Sequence, residues 1–385
     1  MASRRSAGLG LLAAVVLLGL NLRTVVASLP PLLDAIRADL GMSGTAAGLL
    51  TALPVLCFGA FAPVVPRLDR RVAIERLLAG CAVVTAAALA LRGAGAAAPL
   101  FAGTLLAGGA VAIAQAALPV LIRTGHPARV GQLTGAFSMA LPLGATLGAA
   151  LAVPLEAALG SWQASLAVWS LLAAVAALAW LPRAAQTRVS GPIAQPLRRD
   201  GLAWAVSLYF AIQSMAFYVG LSWLPSILSD SGYSDESAGF LLALSALVSI
   251  VPAFLVPLLA ARRAGQEPIL VAIVALSAAS VLGLIVAEGA APLWMVVLGL
   301  GQGGALGLAL ILPVLRGGAP AAVASLTAMM LSIGYLAAAL GPWIAGALHD
   351  ATGGWGATLG FLLAISLLQV LPGLAASRNR VLRQA

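Results

Sequence analysis

In this chain of 385 residues, 62% are hydrophobic and only 9% are charged, against about 25% charged residues in an ordinary soluble domain, so a water-facing surface cannot be assembled. Twenty-one basic residues against 12 acidic ones leave a net charge of +9, which in a soluble protein would point to nucleic acid. Every basic residue here is arginine, set in short stretches between long apolar runs; that is the distribution of membrane-topology signals and not of a nucleic-acid face.

At the N-terminus, Arg4 and Arg5 precede an apolar stretch from Gly8 to Leu20. It reads either as a cleaved signal peptide, with Val25-Val26-Ala27 as the cleavage site, or as a first spanning helix. Arg23 is misplaced for the signal peptide, and the apolar run that resumes at Thr24 and reaches Leu33 favours the helix. A crossing needs about 20 apolar residues. Such runs recur near 8–33, 44–66, 75–92, 98–122, 131–155, 162–181, 202–228, 237–260, 268–287, 291–315, 322–347 and 356–376. The longest polar interval, Pro182 to Gly201, is rich in Arg, Pro and Gly and reads as a linker. The expected organisation is an N-terminal six-helix bundle over 1–181, a linker over 182–201 and a C-terminal six-helix bundle over 202–385.

Assigning the loops alternately to two sides collects all but three of the 21 arginines on one face. The opposite face receives Asp34, Asp39, Glu156, Asp230, Asp235, Glu236, Glu288 and Asp350, with Arg37 and Arg92. The positive-inside rule then makes both termini and the linker cytoplasmic, in a cell's inner membrane. An internal repeat points the same way. Ala98-Pro99-Leu100 returns as Ala291-Pro292-Leu293 and Gly160-Ser161-Trp162 as Gly353-Gly354-Trp355, both at a spacing of 193, and Ala47-Gly48 returns as Ala238-Gly239 at 191. Parallel repeats of this kind are expected to place a solute site between the halves near the midplane.

Polar side chains inside spanning segments are costly and therefore informative. Arg23 lies 15 residues beyond Gly8, roughly 22 Å along a helix, deep in the hydrocarbon. It either snorkels or pairs as a structural charge, or it offers a fixed planar fork to a carboxylate, a nitro group or a small linear anion; the lack of an acidic residue at its depth favours the second. Asn21, Gln115, Gln213 and Gln302 fall in runs 1, 4, 7 and 10, corresponding places in the two halves. They are candidates either to orient a solute or to bond helix to helix. Tyr218 is the repeat counterpart of Arg23 when Pro30 is set against Pro225, and with Phe217 and Trp223 it offers an aromatic wall or plain packing. Gly299, Gly303 and Gly307, like Gly144 and Gly148, form ridges suited to close helix approach.

No Asp or Glu falls in the middle of a run, which disfavours a carboxylate proton relay. Cys57 and Cys81 sit in apolar runs without metal-ligand spacing, and HExxH, GxSxG and P-loop patterns are absent. No cofactor, metal or enzymatic activity is expected.

The series Gly19-Leu20-Asn21-Leu22-Arg23, Ser28-Leu29-Pro30-Pro31-Leu32-Leu33 and Leu50-Thr51-Ala52-Leu53-Pro54-Val55 resembles the cyanate and nitroimidazole transporter (CynX/NimT) branch of the major facilitator superfamily. Gln115-Ala116-Ala117-Leu118-Pro119, Gly299-Leu300-Gly301-Gln302-Gly303, Gly341-Pro342 and Leu348-His349-Asp350 agree, so the resemblance spans nearly the whole chain. It implies an all-α polytopic fold of twelve helices in two pseudo-symmetric bundles, and a secondary transporter working by alternating access on a small anionic or polar solute. The superfamily's loop motif is partly matched by Val65-Pro66-Arg67-Leu68-Asp69-Arg70-Arg71, without its leading Gly; the resemblance implies a gating role for Asp69 and Arg70. Expected partners are a small solute and the bilayer, with no nucleic acid, in a monomer. A non-transporting receptor, a channel and an efflux pump of broader specificity are the competing readings.

Overall fold

The computed structural model describes residues 2–42, 44–68, 71–184 and 197–382. Among these residues only helices, turns and bends occur. An apolar solvent offers backbone groups no partner, so each segment must satisfy its own, which a helix does. The long helices are α1 (Ala2–Ala27), α2 (Gly44–Phe61), α3 (Ile74–Arg92), α4 (Ala97–Gly125), α5 (Val130–Leu159), α6 (Trp162–Ala184), α7 (Gly201–Asp230), α8 (Asp235–Ala260), α9 (Glu267–Val286), α10 (Ala291–Arg316), α11 (Pro320–Ala338, continued by Leu340–Thr352) and α12 (Gly356–Leu368, continued by Val370–Ser377). Eleven of these segments are long and apolar enough to cross a membrane, and α2 adds the shorter apolar stretch Leu49–Val64. The chain is an all-α polytopic protein of two six-helix halves.

Prolines explain where the helices depart from the apolar runs. The first run extends to residue 33, yet α1 ends at Ala27 and a 3-10 turn, Pro30–Leu32, leads into a separate helix, Leu33–Leu40. Two successive prolines remove the amide hydrogens a continuous helix would use there. The interruptions at Ala339 and Gln369 lie three residues before Pro342 and Pro372. Each proline lacks the N–H that would bond the carbonyl four residues back, at Ala338 and Leu368, the last residues before the breaks.

The repeat seen in the sequence recurs as hydrogen bonds. Trp162 Nε1 donates to Asp39 Oδ2 at 2.9 Å, and Trp355 Nε1 to Asp230 Oδ2 at 2.6 Å. Ser165 Oγ donates to the Ala152 carbonyl at 2.7 Å, and Thr358 Oγ1 to the Ala345 carbonyl at 3.0 Å. Four glycines with left-handed backbones also pair off across the halves: Gly41 (φ 61°) with Gly232 (φ 95°), and Gly160 (φ 76°) with Gly353 (φ 67°). Positive φ at these turns is sterically open to glycine and strained for other residues. The Trp–Asp pairs are equivalent clasps at the ends of the two halves. Asp230→Ala should therefore cost about 1 kcal/mol of stability, read as a lower melting temperature in detergent, and should cost nothing further in a Trp355→Phe background.

By internal packing, residues 1–127 with 140–194 form one compact unit, and 128–139 with 195–385 form the other. The first turns of α5 fall in the second unit because Gly131 and Gly135 press on α8, against Pro257, Leu258 and the Phe254 backbone. Within the first unit, Gly144 and Gly148 of α5 lie against the backbone of α1 at Leu20 and Thr24. Within the second unit, Gly299, Gly303 and Gly307 of α10 meet Ser245, Ser249 and Ala253 of α8, one helical step of four at a time. Small-residue ridges of this kind let helices close up where lipid supplies no hydrophobic drive.

Candidate substrate site

Arg23 lies on α1, four residues before the helix ends at Ala27. Its side chain is half-buried, and its guanidinium carbon sits 5.6 Å from the centroid of the Phe58 ring on α2, within the range of cation–π attraction. The neighbouring turns of α1 are set by the glycine contacts at Leu20 and Thr24. Val16, Leu20 and Ala27, at helical spacings of seven, three and four residues from Arg23, are half-buried too, so Arg23 belongs to a continuous stripe that the first unit does not bury fully.

Asn21 is two residues away, about 200° around the helix, and faces elsewhere. It is only 3% exposed. Its Nδ2 donates to the Leu17 carbonyl at 2.8 Å and to the Leu172 carbonyl of α6 at 3.3 Å, while its Oδ1 is buried without a hydrogen-bond partner. Beside it is a cavity of about 10 Å³, lined by Leu18, Thr85, Val111 and Ala173 among others. Asn21 thus ties α1 to α6 inside the bundle and does not share Arg23's face. Gln115 of α4 is buried.

In the other unit, Gln213 of α7 is buried and its Nε2 donates to Ser214 Oγ at 2.7 Å. Tyr218 is half-buried, edge-on to Phe217 with centroids 5.4 Å apart. Gln302 of α10 is half-buried, on a face distinct from those of its glycine neighbours: Gly299 and Gly303 meet α8, while Gly301 and Gly304 meet α9 at Ser277 and Ile273. Trp223 is half-buried. Its Nε1 donates to the Pro342 carbonyl at 2.8 Å and its ring lies 5.4 Å from that of Trp355, which in turn stacks on His349. Asp69 and Arg70 lie outside the described residues.

Two residues take their place only in the folded structure. Phe58 is one apolar residue among many in the sequence, and only the fold brings its ring beside the Arg23 guanidinium. Arg92, a loop charge by its place in the sequence, closes α3 fully buried, with Nη1 donating to the Val25 carbonyl at 2.8 Å and Nε and Nη2 without a hydrogen-bond partner. It satisfies one of the last carbonyls of α1, where a cation also suits the helix dipole. Its position at the end of an apolar run was the available signal.

Comparison with known proteins agrees with this architecture. Residues 9–336 match the family described as Major Facilitator Superfamily. The chain belongs to that superfamily. Among relatives, it is 34% identical over 379 residues to the 2-nitroimidazole transporter of Escherichia coli (strain K12), covering 97% of this chain and 96% of that one. It is 33% identical over 351 residues to the cyanate transport protein CynX of the same organism, covering 90% and 91%. Among solved structures, the superfamily transporter FucP superimposes with a TM-score of 0.75 at 14% identity, over 95% of this chain and 99% of that one; this likeness concerns the fold. The protein is a multi-pass membrane transporter of this superfamily, a secondary transporter of a small solute.

Proposed function

We propose that this superfamily member moves a small anion or a nitro-bearing heterocycle, and that Arg23 receives the negative or partly negative group of the solute. The observation that carries this reading is the half-buried guanidinium of Arg23 on a spanning helix, set over the Phe58 ring. Placing a cation in such a segment costs about 2.5 to 3.5 kcal/mol even on the lower scales, which favours a residue with a task. A guanidinium offers two parallel donors, so it grips a carboxylate, a nitro group or a linear anion by geometry as well as charge. Similarity to a 2-nitroimidazole transporter and a cyanate transport protein supports the same solute class. In the N-terminal half Gln115 adds a neutral amide, and in the C-terminal half Gln213, Gln302 and Tyr218 supply polar contacts; Asn21 and Trp223 hold the helices that carry them.

The test is saturable, exchangeable uptake of labelled cyanate, small carboxylates and nitroimidazoles by the purified protein in liposomes. Binding without flux would make the protein a receptor, and flux that never saturates would make it a channel; either result overturns the proposal.

The same reading places the protein in the inner membrane as a monomer with no catalysis, no cofactor and no nucleic-acid partner. The halves are 1–181 and 202–385, joined by the linker 182–201, because the repeat pairs α5 with α11. Both termini and the linker face the cytoplasm. A Ser190→Cys variant is then labelled by an impermeant maleimide only from the inside, Cys57 and Cys81 being buried; labelling from outside would reverse the topology. Asp69 and Arg70 are proposed to help close the inward gate. Asp69→Asn should therefore change the transport rate and the inward-to-outward population ratio, and unchanged values would reduce the segment to a topology signal.

A further inference from the structure

At one end of the C-terminal half, Arg199, Arg378 and Arg380 line an open cleft of about 700 Å³ together with Gly201, Leu202 and Val381. These arginines come from the two ends of that half, yet the fold converges them because the end of α12 packs on α7. Both walls are held by hydrogen bonds. On the α7 side, Trp204 Nε1 donates to the Arg198 carbonyl at 2.9 Å, and Asp200 Oδ1 accepts from the backbone N–H groups of Leu202 at 2.8 Å and Ala203 at 3.1 Å. Asp200, the one carboxylate lining the cleft among the described residues, thus caps the helix through Oδ1.

On the α12 side, the chain beyond the helix is clamped by Arg316. Arg316 Nε donates to the Ala376 carbonyl at 2.8 Å and Nη2 to the Ser377 carbonyl at 2.7 Å, with a further bond from Nη2 to Gln266 Oε1. Its own carbonyl accepts from the Leu382 N–H at 2.9 Å, and Leu382 is buried. Arg378 and Arg380 are therefore presented from a fixed segment and not from a loose tail.

Two apolar tracks lead from the spanning region to this cleft. Leu368, Leu371 and Ala375 form an exposed stripe on α12 at helical spacing, with Ala375 on the cleft wall, and Trp204 and Leu208 form another on α7. Trp204, 40% exposed, has the amphipathic ring typical of the lipid headgroup level. A soluble anion would need only the arginines; a molecule that uses both the charge and the apolar tracks has a phosphate head and acyl chains.

We propose that this cleft binds the phosphate headgroup of an anionic phospholipid, with its acyl chains along the Leu371 and Leu208 stripes. The chemistry is that of a phosphate held by guanidinium groups beside a helix N-terminus, at the level where basic pockets meet acidic lipid. The site is separate from Arg23 and does not depend on which solute is carried.

Native mass spectrometry of the full-length protein, released from nanodiscs of phosphatidylglycerol or of phosphatidylcholine, tests it. Wild type should retain phosphatidylglycerol preferentially, and Arg199→Gln, Arg378→Gln and Arg380→Gln combined should weaken that preference on the order of a hundredfold. Arg262→Gln with Arg263→Gln, which removes two exposed arginines outside the cleft, should leave it intact. Equal retention of both lipids by wild type, or equal loss in the two variants, overturns the site. Glycerol phosphate that stabilises wild type against heat as well as the lipid does, but not the triple variant, overturns the lipid assignment and makes the occupant a soluble phosphate. The readout is indifferent to sidedness and to transport, so its failure is distinct from failure of the proposed function.

Discussion

Arg23→Ala should abolish solute uptake while the protein still inserts, folds and reaches wild-type abundance in the membrane. The contact of Arg23 with the Phe58 ring is worth about 0.5 to 2 kcal/mol, and the abundance arm of the test reads the structural contacts of Arg23 as a whole. The contact proposed with the solute is a charge-assisted pair that nothing replaces. Arg23→Lys is the sharper probe. It keeps the charge but loses the planar fork, so one charge-assisted hydrogen bond worth about 1.5 to 3 kcal/mol goes. Affinity should then fall roughly ten- to hundredfold, measured as the concentration giving half-maximal uptake in liposomes. Phe58→Leu should change stability slightly and uptake far less than either substitution. Normal transport by Arg23→Ala, or failure of that variant to fold, would make the residue structural and remove the anion-site reading.

Gly303→Val is expected to have the largest effect on stability. A Cβ at Gly303 would fall on the Ser249 carbonyl oxygen and within 2.8 Å of the Ser249 Cα, both main-chain atoms of α8. No side-chain rotation relieves that clash, so α8 and α10 must separate along the ridge, at a cost of about 3 kcal/mol or more. The readout is loss of monodisperse protein on extraction and a large fall in melting temperature. Gly360→Ala is the matched control: nothing lies within 4 Å of its added Cβ. There the greater helix propensity of alanine should hold or raise stability. A Gly303→Val protein that melts with wild type would show that the two helices are not held by close backbone contact.

Much of the fold was legible because the bilayer imposes one-dimensional rules. Segment length, apolar composition and arginine placement are properties of consecutive residues, so twelve spans and two similar halves follow without knowledge of a single contact. The 193-residue spacing of Trp162 and Trp355 was visible as a pattern of letters; the structure adds what the letters do, through matching clasps to Asp39 and Asp230. The helix breaks before Pro342 and Pro372 were hidden in apolar runs, because hydropathy does not register a missing amide hydrogen.

The polar residues behaved differently. Arg23 stood out in the sequence because a charge in a spanning run is anomalous wherever its side chain points. Its grouping with Asn21 did not follow from nearness in sequence. Two residues along a helix is more than half a turn, and the structure sends Asn21 toward Leu172 and Arg23 toward Phe58. Trp223 read as a wall or, more commonly for such residues, as packing, and its hydrogen bond to the Pro342 carbonyl across the helix interface was not legible in the sequence. By itself, then, the sequence determined the class of solvent, the number and order of the helices, the repeat and the anomalous charge. The tertiary structure alone decided which polar atoms meet, why Arg92 is buried against the end of α1, and how arginines from the two ends of one half come to share a cleft, because those outcomes depend on helix rotation and on contacts between residues far apart in the chain.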